Sequence, residues 1–130
     1  MTAFFDTNIL VYAVSDDLRR SRAREVLAEG GIISAQVLNE FVSVLRRKQA
    51  QDWHVIEAAL AALKQQFSLI TPLTEETHAA ALALARDHSF SFYDALIVAA
   101  AQQARCNALY TQDMQHGREV GGLRIVDPFR

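Results

Sequence analysis

The chain opens on a three-residue apolar run, Ala3-Phe4-Phe5, that stops abruptly at Asp6-Thr7-Asn8. A run this short, ended by a carboxylate and two turn-forming side chains, is followed by a new apolar segment, Ile9-Leu10-Val11-Tyr12. It reads as a buried strand with Asp6 just past its C-terminal end. Open parallel sheets bind ligands at that edge. What the chain can do therefore depends on whether other carboxylates reach the same place.

The remaining sequence alternates short apolar runs with helical patterns. A helix is expected over 21–29, ended by Gly30-Gly31, and a very short strand at Ile32-Ile33. Ser34 is placed to N-cap a helix to about Gln49, and Asp52 to cap another to about Gln66. Ser68-Leu69-Ile70-Thr71 reads as a strand. Thr74 begins an alanine- and leucine-rich helix to about Asp87, and Ser91-Phe92-Tyr93-Asp94 opens another that reaches Ala104. Strands close the pattern at 108–111 and 123–126. Strands separated by helices imply an α/β fold with a parallel sheet and helical crossovers on both faces. With 130 residues, 51% of them apolar, and only two prolines, residues 1–130 form one domain able to bury its own core.

A net charge of −2 argues against a bulk cationic nucleic-acid binder. It leaves nucleic acid open as a substrate, because a bound divalent cation reverses the sign of an acidic site. Two basic patches stand out, Arg19-Arg20-Ser21-Arg22-Ala23-Arg24 and Arg46-Arg47-Lys48. Each reads as a solvated face or helix-terminal charge, or as a substrate contact. Cys106 is the single cysteine; it excludes an internal disulfide and reads as a packed thiol. No basic n-region and no apolar run near the ~20 residues of a membrane span is present, so a cytoplasmic protein away from membranes is expected.

Four acids carry the chemistry. Glu40 shares a helix with Val37, Phe41, Val44 and Leu45, which follow a 3.6-residue period. That puts its charge on or beside the packed face, where a carboxylate needs a partner or a cation. Asp94 opens Ala95-Leu96-Ile97-Val98-Ala99-Ala100-Ala101, apolar all round and hence buried. Asp113 lies just past the strand ending in Tyr110-Thr111. Taken singly, Glu40 reads equally as half of a salt bridge, Asp94 as the third helical residue of a capping box with Ser91, and Asp6 or Asp113 as an N-cap or Asx-turn. As a set they would converge on one sheet edge. Like charges brought together raise one another's pKa unless a cation neutralises them. Oxygen-only ligands suit Mg²⁺ or Mn²⁺ better than zinc.

Phe5-Asp6-Thr7-Asn8, the helical Glu40, Tyr93-Asp94-Ala95-Leu96-Ile97 and Leu109-Tyr110-Thr111-Gln112-Asp113, in this order, resemble the PIN-domain nucleases, in particular the VapC-like toxins of bacterial toxin–antitoxin pairs. The resemblance covers nearly the whole chain. It implies a three-layer α/β/α sandwich with about five parallel strands and RNA cleavage with Mg²⁺ or Mn²⁺. It makes Asp6, Glu40, Asp94 and Asp113 the acidic quartet, with Asp6 and Asp94 the firmest metal ligands. Thr7, Asn8 and Thr111 become neighbours that orient carboxylates or the scissile phosphate. The chemistry implied is metal-assisted phosphodiester hydrolysis, with one or two cations and no side-chain nucleophile. His116, three residues past Asp113, reads as a phosphate or proton contact or as a solvent-facing turn residue.

The same resemblance implies a homodimer and a cognate antitoxin docked between helices. Apolar groups expected to be exposed on the early helices, namely Leu10, Tyr12, Leu38 and Trp53, would serve these contacts. Two rivals stand beside this reading. A haloacid-dehalogenase-like phosphatase would need a second Asp where the chain has Asn8, and a phosphate-binding lysine, for which only Lys48 and Lys64 exist. A catalytically silent RNA- or antitoxin-binding module would keep the acids as an ion site only.

Overall fold

The computed structural model describes residues 2–130. In chain order the elements are β1 (Ala3–Phe5), α1 (Thr7–Val14), α2 (Arg20–Ala28), β2 (Gly31–Ser34), α3 (Ala35–Arg47), α4 (Trp53–Lys64), β3 (Phe67–Thr71), α5 (Glu75–His88), α6 (Phe92–Gln103), β4 (Ala108–Tyr110), β5 (Glu119–Val120) and β6 (Leu123–Val126). The sheet runs β3-β2-β1-β4-β6-β5. All its pairings are parallel except β5 with β6. No helix among the described residues is long and apolar enough to cross a membrane.

The first strand of the chain thus sits in the middle of the sheet. From β1 the chain steps outward through β2 and β3, then returns to lay β4 on the other side. Right-handed crossovers put α1 to α4 on one face and α5 and α6 on the other. The β1/β4 junction is the point where strand order reverses, and ligands of such sheets bind beyond the strand ends there. Phe5 pairs with Tyr110 in register, and the Asp6 amide donates to the Tyr110 carbonyl at 3.0 Å. Asp6 and the residues that follow β4 are therefore held side by side.

Two elements depart from expectation. Thr7 and Asn8 do not form a turn before a new apolar segment; they begin α1, and Asp6 is its N-cap, with extended φ,ψ and a carboxylate that accepts from the Thr7 amide. The helix is apolar nearly all round, and Leu10 is fully buried rather than exposed. The other addition is β5. Gly121 and Gly122, both at positive φ, make a two-residue hairpin turn that folds β5 against β6, giving a sixth, antiparallel edge strand. Asp52 takes the N-cap position of α4 without a side-chain cap bond. Ser34 and Thr74 do cap α3 and α5, accepting from Val37 and Thr77. Cys106 is a buried free thiol.

At Gly31, β2 runs close beside its parallel neighbour β1. A Cβ there would lie 2.5 Å from Phe5 Cε2 and 2.6 Å from the Ala3 carbonyl oxygen, so alanine must push the central strands apart. Gly31→Ala should destabilise the fold by about 1–3 kcal/mol, read as a lower urea midpoint. An unchanged midpoint would show that β1 and β2 are not packed this closely.

Candidate active site

A cleft of about 540 Å³ opens at the C-terminal edge of the sheet, lined among others by Asp6, Glu40, Asp94 and Asp113. Four separate segments deliver these carboxylates: the β1–α1 junction, the middle of α3, the first turn of α6 and the loop after β4. Thr7 and Asn8 line the same cleft.

Asp6 lies deepest, with 5% of its surface exposed. Its Oδ1 accepts from the Thr7 amide at 2.7 Å, and its Oδ2 accepts from the Thr111 hydroxyl at 2.8 Å. The Asn8 amide adds a long, weak contact to Oδ2 at 3.4 Å. Thr111 has a single proton to give, and gives it to Asp6. Its oxygen in turn accepts from the Asp113 amide at 3.1 Å and faces Asn8 Nδ2 at 3.3 Å. Thr111 is fully buried, so it orients Asp6 from behind and does not reach the cleft.

Asn8 and Thr7 tie the other acids to this centre. The Gln112 amide donates to Asn8 Oδ1 at 3.1 Å, which fixes the amide orientation and turns Nδ2 toward the acids. From there Nδ2 donates to Asp113 Oδ2 at 3.1 Å. The Thr7 hydroxyl donates to Glu40 Oε1 at 2.8 Å. This contact replaces the arginine salt bridge that Glu40 alone would suggest. Asp94 keeps half of the capping box: its amide donates to the Ser91 hydroxyl oxygen at 3.3 Å, while its carboxylate lines the cleft.

Burial pushes the Asp6 carboxyl up from 3.8 to about 7. Hydrogen bonds from Thr111 and Thr7 pull against this, and the charges of Glu40 and Asp113 add to it. Burial is also the main cause of a raised Asp94, opposed by Ser91 and reinforced by Asp113. Among the described residues no three His, Cys, Asp or Glu side chains are already drawn together as a ligand set. The four carboxylates line one cleft instead, with Thr7 bridging to Glu40 and Asn8 to Asp113. The donor set is oxygen only, with two acids held above their ordinary pKa by burial and by their acidic neighbours. Such a set fits a hard divalent cation, which would relieve the charge repulsion that protonation now relieves.

Several lining residues went unassigned in the sequence reading. Ser43 on α3 and Lys48 at its C-cap lie three and eight residues beyond Glu40 and line the same cleft, so the helical period is the available signal. Lys48 belongs to the Arg46-Arg47-Lys48 patch, which the sequence reads as helix-terminal charge or as a substrate contact. Tyr12, expected in a partner contact, is a cleft wall: its hydroxyl donates to Gln112 Oε1 at 2.6 Å, and Arg19 stacks on its ring at 4.1 Å. Leu38 is half-buried. Trp53 is exposed as expected, with Arg46 over its ring. The Arg19-Arg24 patch is largely engaged within the fold: Arg19 pairs with Asp17, Arg22 donates to the Pro128 carbonyl and Arg24 to that of Ala13. His116 stands outside the cleft and accepts from the Asp127 amide at 2.9 Å, which agrees with a turn residue.

A parallel α/β domain with four carboxylates lining the crevice at its switch point defines the class. The chain belongs to the PIN domain family, whose model matches residues 3–119. Among solved structures it is similar to a toxin-antitoxin complex from Klebsiella pneumoniae, with 27% identity, TM-score 0.74 and 98% of each chain covered. It also shares its fold with VapC20 of Mycobacterium tuberculosis, a sarcin-ricin loop cleaving toxin, at 20% identity and TM-score 0.71, over 86% of this chain and 92% of that one. VapBC2 from Rickettsia felis, bound to a promoter DNA fragment, matches at 20% identity and TM-score 0.71, over 96% and 97%. No curated protein sequence matches the chain.

The raised Asp6 has a consequence for stability. Its folded pKa of about 7 lies above the ordinary 3.8, so between these values the folded state keeps a proton that the unfolded state has released. The burial cost is therefore absent below about pH 4, grows with pH and is complete above about pH 7, where it reaches at most about 4 kcal/mol. Asp6→Asn should stabilise the cation-free protein by about 1–3 kcal/mol at pH 8. The gain should vanish near pH 4. Thermal unfolding at the two pH values checks this, and a gain of equal size at both would contradict it.

Proposed function

We propose that this protein is a Mg²⁺- or Mn²⁺-dependent endoribonuclease, the toxin of a toxin–antitoxin pair. The observation that carries the reading is the arrival of Asp6, Glu40, Asp94 and Asp113 from four segments at one cleft. Membership of the PIN domain family supports the reaction class, and likeness to a toxin-antitoxin complex over nearly the full length supports the biological setting. By the same likeness we infer a cognate antitoxin as partner, and the resemblance to VapC-like toxins implies a homodimer.

Asp6 and Asp94 are the proposed metal ligands, with Glu40 and Asp113 completing the acidic set. A divalent cation held there supplies a water of lowered pKa and positive charge for the phosphoryl oxygens. The chain supplies the rest. Thr111 and the Thr7 amide hold Asp6 in one orientation from the protein side, leaving its remaining lone pairs for the cleft. Thr7 and Asn8 do the same for Glu40 and Asp113. Lys48, in none of the ion pairs among the described residues, is the cation available to take a phosphate of the substrate at the cleft mouth.

Asp6→Asn should reduce RNA cleavage in Mn²⁺ on the order of 100- to 1000-fold while RNA binding persists. Mn²⁺ should raise the melting temperature of the wild type and leave that of Asp6→Asn, Asp94→Asn unmoved. Cleavage that survives EDTA or the Asp6 change would defeat the metal-nuclease reading. Cation-dependent stabilisation and RNA binding without any cleavage would identify a catalytically silent binding module.

A further inference from the structure

Beyond Glu40 the acidic cleft continues into a second groove of about 400 Å³, lined by Gln36, Asn39, Glu40, Ser43, Arg47 and Tyr93. Glu40 and Ser43 belong to both. Five of the six lining residues come from α3, at spacings of three, one, three and four. They form one polar stripe along the helix, on a face separate from Val37, Phe41 and Leu45, which are buried in the core. The sixth, Tyr93, stands beside Asp94 in the first turn of α6, and 63% of its surface is exposed.

A tyrosine so exposed is out of place as a packing residue. The Phe92 ring meets it edge-on at 6.0 Å, and Phe92 in turn packs against His78 at 5.4 Å. The groove thus has an aromatic face, two side-chain amides and a hydroxyl able to hydrogen-bond base edges, and Arg47, which joins none of the ion pairs among the described residues. An aromatic platform next to a backbone-neutralising cation is the combination that binds single-stranded nucleic acid, whose unpaired bases can turn out and stack. A protein partner would favour an apolar centre here, and amides, a hydroxyl and a charge line the groove instead.

We propose that this groove is the subsite for the nucleotide next to the scissile phosphate: its base stacks on Tyr93, Gln36 and Asn39 read the base edge, and Arg47 holds its phosphate. The inference deepens the ribonuclease reading and rests on it for the identity of the polymer. It assigns the selection of the cleavage site to residues outside the acidic quartet. A strand lying along the α3 stripe would run from Arg47 past Glu40, with Lys48, the next residue in the chain and part of the main cleft lining, engaging the neighbouring phosphate.

The test measures binding of a short fluorescein-labelled single-stranded RNA of mixed sequence in the Asp6→Asn background, together with KM and kcat for RNA cleavage in Mn²⁺ in the Asp6-containing protein. Tyr93→Ala should weaken binding about 5- to 100-fold and raise KM with kcat little changed, and it should alter the preferred cleavage positions. Tyr93→Phe should stay near the parent. Arg47→Ala should weaken binding and lower the slope of affinity on salt by about one phosphate contact, whereas Lys64→Ala on the distant α4 should change nothing. The subsite is overturned if Tyr93→Ala binds RNA as tightly as the parent, or if Tyr93→Phe loses as much as Tyr93→Ala. It is equally overturned if Tyr93→Ala and Arg47→Ala abolish self-association while RNA affinity stays intact, since the groove would then be an interface between copies. Wild-type cleavage with unaffected variants sinks the subsite alone. Variant-sensitive RNA binding without wild-type cleavage sinks the nuclease reading alone.

Discussion

A carboxylate buried at the junction of the central strand and the first helix governs the rest of this structure. Asp6 ends β1 and caps α1, so it cannot move without disturbing both. Removing an acid from water is costly. The fold meets that cost only in part, with the Thr7 amide, the Thr111 hydroxyl and a distant Asn8, and the remainder appears as a carboxyl held near 7. A residue kept for stability alone would not be placed so. The arrangement suits the proposed hard divalent cation, whose charge would offset that of the buried acid and its acidic neighbours.

The sheet order explains how such a set is gathered at one sheet edge. Placing β1 in the centre and reversing direction at β4 brings two strand ends into register, so Asp6 and the Thr111–Asp113 loop are neighbours by backbone hydrogen bonding alone. Glu40 arrives on α3, which packs against α1, and Asp94 on α6, whose run from Ala95 to Ala101 is buried throughout. The helix that carries Asp94 is thus locked into the core, and its first turn has no freedom to swing away. Rigid elements hold the acids, and the polar bridges from Thr7, Asn8 and Thr111 set their orientations, as preorganised sites require.

Much of this was legible in the sequence, and the failures share a cause. The strands at Phe4-Phe5, Ile32-Ile33, 108–111 and 123–126 and the helices carrying Glu40 and Asp94 follow from their patterns because length and periodicity agree there. The segment from Thr7 to Val14 is too short and too uniformly apolar for periodicity to separate helix from strand. Within it Leu10, expected to be exposed, is fully buried, because the helix packs almost every side against the core. The β5 strand has two residues and is announced only by Gly121-Gly122. Lys48 and Ser43 are visible in principle as turns of the Glu40 face, but a basic run at a helix end gives no signal that separates terminal charge from a substrate contact. The groove between α3 and Tyr93 could not be read at all, since it exists only once the two helices are packed together.

The most direct measurement is a carbon-detected NMR titration of the Asp6 carboxyl, with and without Mg²⁺. The account predicts a midpoint near 7 in the cation-free protein, and an Asp6 that is ionised well below that pH when Mg²⁺ is present, because the cation and the proton compete for the same oxygens. A carboxyl that titrates near the ordinary 3.8 and ignores Mg²⁺ would contradict it.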